Sequence, residues 1–334
     1  MAEAAPPPEP GPLAGLRVLE LAAVLAGPSV GQFLAELGAD VVKVENVRTR
    51  GDVTRTWHLA VEEPSDDRPA YFCAANWGKR SVALDLAHPD GRAALHALAR
   101  RADVVLTAYK PGDAERLGAD AATLRALAPR LVVAALTGYG DGDPRAGYDA
   151  VVQAEAGFTH LNGEPDGPPT KMPVALMDVL AAHQLKEGVL LALLRRERAG
   201  EGAEVRVSLL GAGVAALANQ GTAWLGAGVA PRRRGSAHPQ IAPYGTLYPT
   251  ADGAVVLAVG TDAQFADLAA VLGLDALAAD ARFATNPARV RHRTALDEAL
   301  AARTTGWRTA GQLNHAEAGE GGVRHARRAR SAAR

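Results

Sequence analysis

The sequence predicts an α/β fold, a doubly wound parallel sheet followed by a smaller α+β domain, and three observations carry that prediction. Short apolar runs without alternation recur along the first two hundred residues, as strands covered by helices on both faces do. Stretches with helical spacing separate these runs, which is the βαβ pattern. A proline-rich, basic connector then precedes a hairpin pattern and two further helical stretches.

The elements follow in order. RVLELA (17–22) reads as a buried strand, GPSVGQFLAELGAD as a helix and VVKVE (41–45) as a second strand. SVALDL (81–86), a helix over PDGRAALHALARRA, the strand DVVLTA (103–108), a helix near DAATLRALA and the strand LVVAAL (131–136) repeat the unit. Residues 178–197, DVLAAHQLKEGVLLALLRRE, form a long amphipathic helix with Asp at its start and arginines in its last turn, both matching the helix dipole. EVRVSLL and a small-residue helix, GAGVAALANQGTAWLGAG, come next.

A domain boundary is expected near 228, where VAPRRRGSAHPQIAP begins. Beyond it, YGTLYPTADGAVVLAVG reads as a hairpin turning at ADG, with helices through QFADLAAVLG and ARVRHRTALDEALAAR. The expected organisation is a disordered lead-in over 1–12, a large domain over 13–227, a small domain over 228–303 and a basic, disordered tail over 304–334.

Composition bounds the function. The chain has 334 residues, 48% of them hydrophobic, and a net charge of −1, so its overall charge calls for neither nucleic acid nor an anionic membrane surface. One cysteine, Cys73, excludes an internal disulfide framework and fits the cytoplasm. The N-terminus lacks the basic and apolar regions of a signal peptide, and no apolar run is long enough to span a bilayer. There is no dinucleotide fingerprint, phosphate-binding P-loop or HExxH motif, and the nine histidines form no ligand spacing, so no metal is expected.

Several residues remain as chemical candidates. Asp178 follows PVALM and opens a helix; it either caps that helix or, with its pKa lowered by the helix N-terminus, serves as a nucleophile. Lys79 and Arg80 stand before a strand, and Lys110 and Arg116 after another, where they either meet phosphates or remain solvated. Tyr139, Tyr148 and Asp149 lie in GYGDGDPRAGYDAVVQAEAG, a glycine-rich loop that enters a helix and lines a cleft or simply makes a turn.

Taken together, LAGLRVLELAAVLAGP, LGADVVKVE, GDVTR, NWGKRSVALDL, KPGDAERLG, LTGYGDGDPRAGYD, VVQAEAG and the apolar lead into Asp178 resemble the family III CoA-transferases, or CaiB/BaiF family. The resemblance runs from about Pro12 to Arg303. It implies a Rossmann-like large domain, a small α+β domain and an interlocked homodimer. It assigns Asp178 as the nucleophile that forms an acyl anhydride and then an aspartyl-CoA thioester, with acyl-CoA and carboxylic acids as substrates and no tightly bound cofactor.

The same resemblance places Val24, Lys79, Tyr109 and Arg116 against CoA, and the backbone from Val24 through Leu25 to Gly27 beside the reacting carbonyl. Racemase relatives carry a histidine at the position of Tyr148, and a phenol with a pKa of about 10 is a poor α-proton base, so transfer is expected over racemisation. RRRGSAHPQIAPYGT replaces the glycine run of formyl-CoA transferase, which argues against formyl-CoA and oxalate. Arg232, Arg233 and Arg234 either bind the second carboxylate of a succinyl-type substrate or form a solvated linker. The ending GQLNHAEAGEGGVRHARRARSAAR resembles nothing in the family, so an acyl-CoA-binding remnant without turnover stands as a third reading.

Overall fold

A computed structural model describes residues 11–308 and 327–328. Residues 1–10 of the lead-in expected over 1–12, and most of the expected tail, lie outside the described residues. The chain divides into two compact units, one formed by residues up to 159 with 171–231, the other by 160–170 with 232 onward.

The first unit is built on six parallel strands: β1 (Arg17–Leu21), β2 (Asp40–Asn46), β3 (Arg80–Leu84), β4 (Val104–Thr107), β5 (Val132–Thr137) and β6 (Glu204–Ser208), in the order β3-β2-β1-β4-β5-β6. The helices between them are α1 (Ala26–Glu36), α2 (Ala70–Asn76), α3 (Pro89–Ala99), α4 (Asp113–Arg116), α5 (Ala121–Leu127), α6 (Asp149–Glu155), α7 (Phe158–Leu161) and α8 (Leu176–Ala199). After β6 come α9 (Leu209–Ala216) and α10 (Asn219–Ala227).

Side chains of the central strands feed two cores. Val104, Leu106, Val132 and Ala134 pack with Val30 and Leu34 of α1 and Met177, Ala181 and Leu185 of α8. Val105, Val133 and Leu131 turn the other way, onto Leu95 and Ala99 of α3 and Leu124 of α5. Both faces are therefore covered, which is why the strands read as unbroken apolar runs. The strand order reverses between β1 and β4, and the crevice outside the carboxyl ends of those two strands is where such sheets bind ligands.

Three helices differ from the sequence expectation, and the one expected over 288–303 is divided at His292, whose φ of −105° and ψ of 28° end the first piece. The single helix expected over 211–228 is broken at Ala218, whose φ of 46° cannot continue a right-handed helix, so α9 and α10 are separate. The long helix α8 begins at Leu176, two residues before Asp178, and Ala175 occupies the N-cap without a side-chain hydrogen bond. Its C-terminus stops at Gly200, which adopts the left-handed conformation at φ 79°.

The second unit holds the hairpin β7 (Tyr244–Thr250) and β8 (Gly253–Ala258), then α11 (Asp262–Leu272), α12 (Asp275–Ala279), α13 (Asn286–Arg291) and α14 (Arg293–Thr304). Tyr248, Leu257, Phe265, Leu268, Phe283, Leu296 and Leu300 form its core. Residues 160–170 join this unit although the sequence places them in the large domain: Arg233 Nη1 donates to the His160 carbonyl and the Gly235 N–H to the Gly163 carbonyl, both at 3.1 Å. Within the stretch expected as a tail, Thr304 is buried, the Trp307 carbonyl accepts from the Ala251 N–H, and β9 (Arg327–Arg328) pairs antiparallel with β8.

Candidate active site

Asp178 occupies the third position of α8 and does not cap it. The cap contact comes instead from Asp149, whose Oδ1 accepts the Met177 N–H at 2.9 Å and whose Oδ2 accepts from Gln153 Nε2 at 2.8 Å. Gln153 in turn donates to the Val174 carbonyl and accepts from the Met172 N–H, so the loop entering α8 is tied to α6. Relieved of a capping role, the Asp178 carboxylate makes no hydrogen bond or ion pair among the described residues.

The expectation of a lowered pKa for Asp178 is overturned. Burial, and then the neighbouring Asp149 carboxylate, push it up to about 7. Desolvation beside a second anion outweighs the helix N-terminus here. Tyr71 of α2 joins the cluster: burial raises its pKa, and the carboxylates of Asp178, Asp149 and Asp52 raise it further. Its ring meets Trp57 edge to face, with centroids 4.9 Å apart.

The topology brings α1 and α8 to the site side by side. Both run antiparallel to the parallel strands, and the far end of α8 is pinned at the opposite edge of the sheet, where Arg196 Nη1 lies 3.3 Å from Asp103, the residue before β4. Lys186 Nζ sits 5.2 Å from the Phe33 ring centroid. Leu25 lies eight residues before Phe33 and Asp178 eight before Lys186, about 12 Å of axial rise along each helix toward the carboxyl edge of the sheet, and Tyr71 feels both Asp178 and the Asp52 that holds the Val24 N–H. The turn after β1 thus faces the same crevice as Asp178.

That turn is strained. Val24 has φ 73°, a left-handed conformation that a β-branched residue adopts at a cost of about 1–3 kcal/mol. The side chain of Asp52 holds it: Oδ2 and Oδ1 accept the Val24 N–H at 3.2 and 3.3 Å while Oδ1 also accepts the Thr54 N–H and hydroxyl. Gly27 in the next turn allows close approach, since a Cβ there would lie 2.4 Å from Ala22 Cβ.

Beneath the turn lies a buried charge cluster. Lys43 Nζ contacts Glu20 Oε1 at 2.9 Å, Asp52 Oδ2 at 3.0 Å and the Ala22 carbonyl at 2.7 Å. Burial alone would lower the Lys43 pKa, but Glu20 and Asp52 prevail and hold it above its ordinary value. Gly31 makes room for this arrangement, because a Cβ there would come within hard contact of Glu20 Oε2. Gly31→Ala is expected to lower stability by about 1–3 kcal/mol in urea unfolding, the usual cost of overpacking a filled core.

Lys79 is not placed as a phosphate partner. Its side chain is 2% exposed, and its ammonium sits 2.7 Å from Glu20 Oε2, 2.8 Å from the Pro28 carbonyl and 3.1 Å from Asn76 Oδ1. These three oxygens take its donors, and burial pushes its pKa down to about 8. Arg80 is likewise engaged, with Asp40.

Tyr109 and Arg116 do come together. With Arg48, Asn46, Asp85 and Leu86 they line a pocket of about 260 Å³ at the carboxyl ends of β2, β3 and β4. Burial pushes the Tyr109 phenol up to about 12, so it remains neutral, while Arg48 and Arg116 stay largely exposed beside Asp85 and Asp113. A flat ring beside two exposed guanidinium groups, each with one surface carboxylate partner and further N–H donors, suits an aromatic base and a phosphate. Tyr139 has its ring covered by the Arg145 guanidinium at 3.8 Å, and Tyr148 is 69% exposed at the start of α6.

Sequence reasoning missed Glu20, Lys43, Asp52 and Tyr71 as members of one cluster. The available signal was a charged residue in the middle of each of two buried strands, RVLEL and DVVKVEN. No group of acids, histidines or cysteine suited to a metal occurs among the described residues.

The whole chain is similar to known proteins. Residues 13–331 match the profile described as CoA-transferase family III, so the similarity continues beyond Arg303, where the sequence resemblance was expected to end. The chain is 44% identical over 302 residues to a succinate–glutarate CoA-transferase of Agrobacterium fabrum, covering 89% of this chain and 75% of that protein. It is 41% identical over 294 residues to an acyl-CoA transferase of Fusarium pseudograminearum, covering 86% of this chain and 64% of that protein. A crystal structure of a CaiB/BaiF family protein from Brucella suis superposes with a TM-score of 0.76 at 41% identity, over 92% of this chain and 82% of the other. The chain therefore belongs to CoA-transferase family III.

Proposed function

We propose that this member of the family moves CoA from a dicarboxylic acyl-CoA, of the succinyl-CoA type, to a carboxylic acid through covalent intermediates on Asp178. The observation that carries the reading is a carboxylate in the first turn of α8 without a hydrogen-bond partner among the described residues, at the sheet edge where the β1–α1 turn also ends. The relative named a succinate–glutarate CoA-transferase supports the substrate class.

An Asp178 oxygen attacks the donor thioester carbon, the C–S bond breaks, and CoA leaves as the thiolate with a mixed anhydride on Asp178. The thiolate attacks the aspartyl carbonyl, expelling the donor acid and leaving an aspartyl-CoA thioester. The acceptor carboxylate attacks that carbonyl and displaces the thiolate again. Attack of the thiolate on the acceptor's acyl carbon then yields the new acyl-CoA and restores the Asp178 carboxylate. Each step exchanges bonds of similar activation, and no proton must be supplied. Backbone N–H groups from Leu25 to Gly27 steady the developing oxyanion, the Val24 N–H being held by Asp52.

A carboxylate with a pKa near 7 attacks only when ionised, so kcat/KM is expected to rise with pH through about 7 and level off above it. A rate that is flat from pH 5.5 to 8.5 would contradict the assignment. Tyr109 and Arg116 are proposed to hold the nucleotide end of CoA. Arg116→Ala is expected to raise the donor KM roughly tenfold with kcat nearly unchanged, the effect of losing one charged hydrogen bond to a phosphate.

The activity itself is tested by incubation with succinyl-CoA and glutarate, following new acyl-CoA by mass spectrometry. Racemisation instead would wash deuterium from solvent into the α-carbon of a 2-methylacyl-CoA without needing an acceptor acid. An interlocked homodimer belongs to the same proposal and is read from the molar mass in light scattering.

A further inference from the structure

We infer that Asp52 is a positioning residue for acyl transfer: its carboxylate clamps the strained turn at Val24 so that the N–H groups opening α1 face the carbonyl carried on Asp178. This rests on the proposed role of Asp178 and adds a residue to it.

Three observations point to the clamp. Val24, a β-branched residue, holds φ 73° in the only stretch that joins β1 to α1, and a turn of that kind persists only where its surroundings impose it. Asp52 is the group that imposes it, gripping the Val24 N–H with both carboxylate oxygens. Asp52 is itself held, 4% exposed, by Lys43 at 3.0 Å, by the Thr54 N–H and hydroxyl, and through its own N–H by Glu45 Oε2 at 2.7 Å.

The consequence appears one residue further on. Helix α1 has no side-chain cap, Pro28 brings no N–H, and the N–H groups of Leu25, Ala26 and Gly27 have no acceptor among the described residues. Their direction is set by the Val24 torsion. Asp52 takes the Val24 N–H out of the set and aims the others, acting at one remove from the reacting atoms. An unclamped turn would relax toward φ below zero and rotate these donors away, and donors misplaced by about 1 Å lose most of their effect on a transition state.

The test compares wild type, Asp52→Asn and the double variant Asp52→Asn with Val24→Gly in steady-state transfer from succinyl-CoA and in hydroxylamine trapping of the Asp178 peptide. Glycine tolerates φ 73° without strain, so it can keep the turn without the clamp. Expected are a kcat lower by about ten- to a hundredfold in Asp52→Asn with donor KM within twofold, and partial recovery of kcat in the double variant. A kcat within twofold of wild type in Asp52→Asn, or a loss that Val24→Gly does not improve, overturns the inference.

If Asp52→Asn does not fold, Thr54→Val removes one hydroxyl donor to the clamp; a two- to fivefold fall in kcat with unchanged circular dichroism and KM supports the inference, and no fall overturns it. A wild-type protein that transfers CoA without any adduct on Asp178 removes the reading on which the inference rests. An adduct that forms equally fast in wild type and Asp52→Asn removes the inference alone.

Discussion

Asp178→Asn is expected to lower CoA transfer by at least roughly a thousandfold and, at pH 8, to make the fold more stable. An amide cannot form the anhydride, so the covalent route closes. The stability gain follows from the charge. The Asp178 pKa is near 7 in the fold against about 4 in the unfolded chain, so between those values the fold holds a proton that the unfolded chain has released. Stability contributed by this group is complete below about pH 4, falls as pH rises through 4 to 7, and is absent above. Asn carries no such charge. With allowance for the residual solvent at a half-buried site, unfolding in urea at pH 8 should show Asp178→Asn more stable by about 1–3 kcal/mol, and the difference should vanish near pH 4. An inactive variant that is also destabilised at pH 8 would mean that Asp178 is held by contacts rather than kept unpaired.

Lys43→Met is expected to be the most destabilising single change in the sheet, at about 3–5 kcal/mol, because it leaves Asp52 and part of Glu20 buried without their counter-charge. Against a total of about 5–15 kcal/mol for a typical domain, that brings the protein close to unfolding at 37 °C. The measurement is the urea midpoint at pH 7 compared with Lys79→Met. Lys79 lies in the same cluster but its pKa is lowered to about 8, so the charge is held less firmly and its removal should cost less. Equal losses for the two lysines would show that neither is the keystone of the cluster.

The parallel sheet is legible in the sequence because burial on both faces writes itself as uninterrupted apolar runs, and VVKVE and DVVLTA fall on β2 and β4. The break at Ala218 is not legible, since an alanine between Leu217 and Asn219 carries no strong stop signal. Residues 160–170 join the second unit through hydrogen bonds to residues some seventy positions later, a pairing that no local pattern records.

In the site, Asp178 stands out only through the order of motifs around it. Its local setting suggests a cap, and the group that caps is Asp149, placed there by the α6–α8 connection. Tyr109 and Arg116 share a pocket because their motif turns at the carboxyl end of β4. Lys79 misleads for the opposite reason: a lysine before an edge strand looks exposed, whereas here it reaches back under α1 to Glu20. The Asp178 pKa is raised first by burial and then by a neighbour 29 residues away, neither of which a local pattern records, so the helix dipole alone points the wrong way.

The most direct test of the account is where the acyl or CoA group resides during turnover. Protein quenched within a turnover of succinyl-CoA and treated with hydroxylamine should carry a hydroxamate on the peptide containing Asp178, dependent on succinyl-CoA and absent from Asp178→Asn. A modified peptide elsewhere, or transfer to glutarate at full rate with every carboxylate unmodified, would contradict Asp178 as the nucleophile.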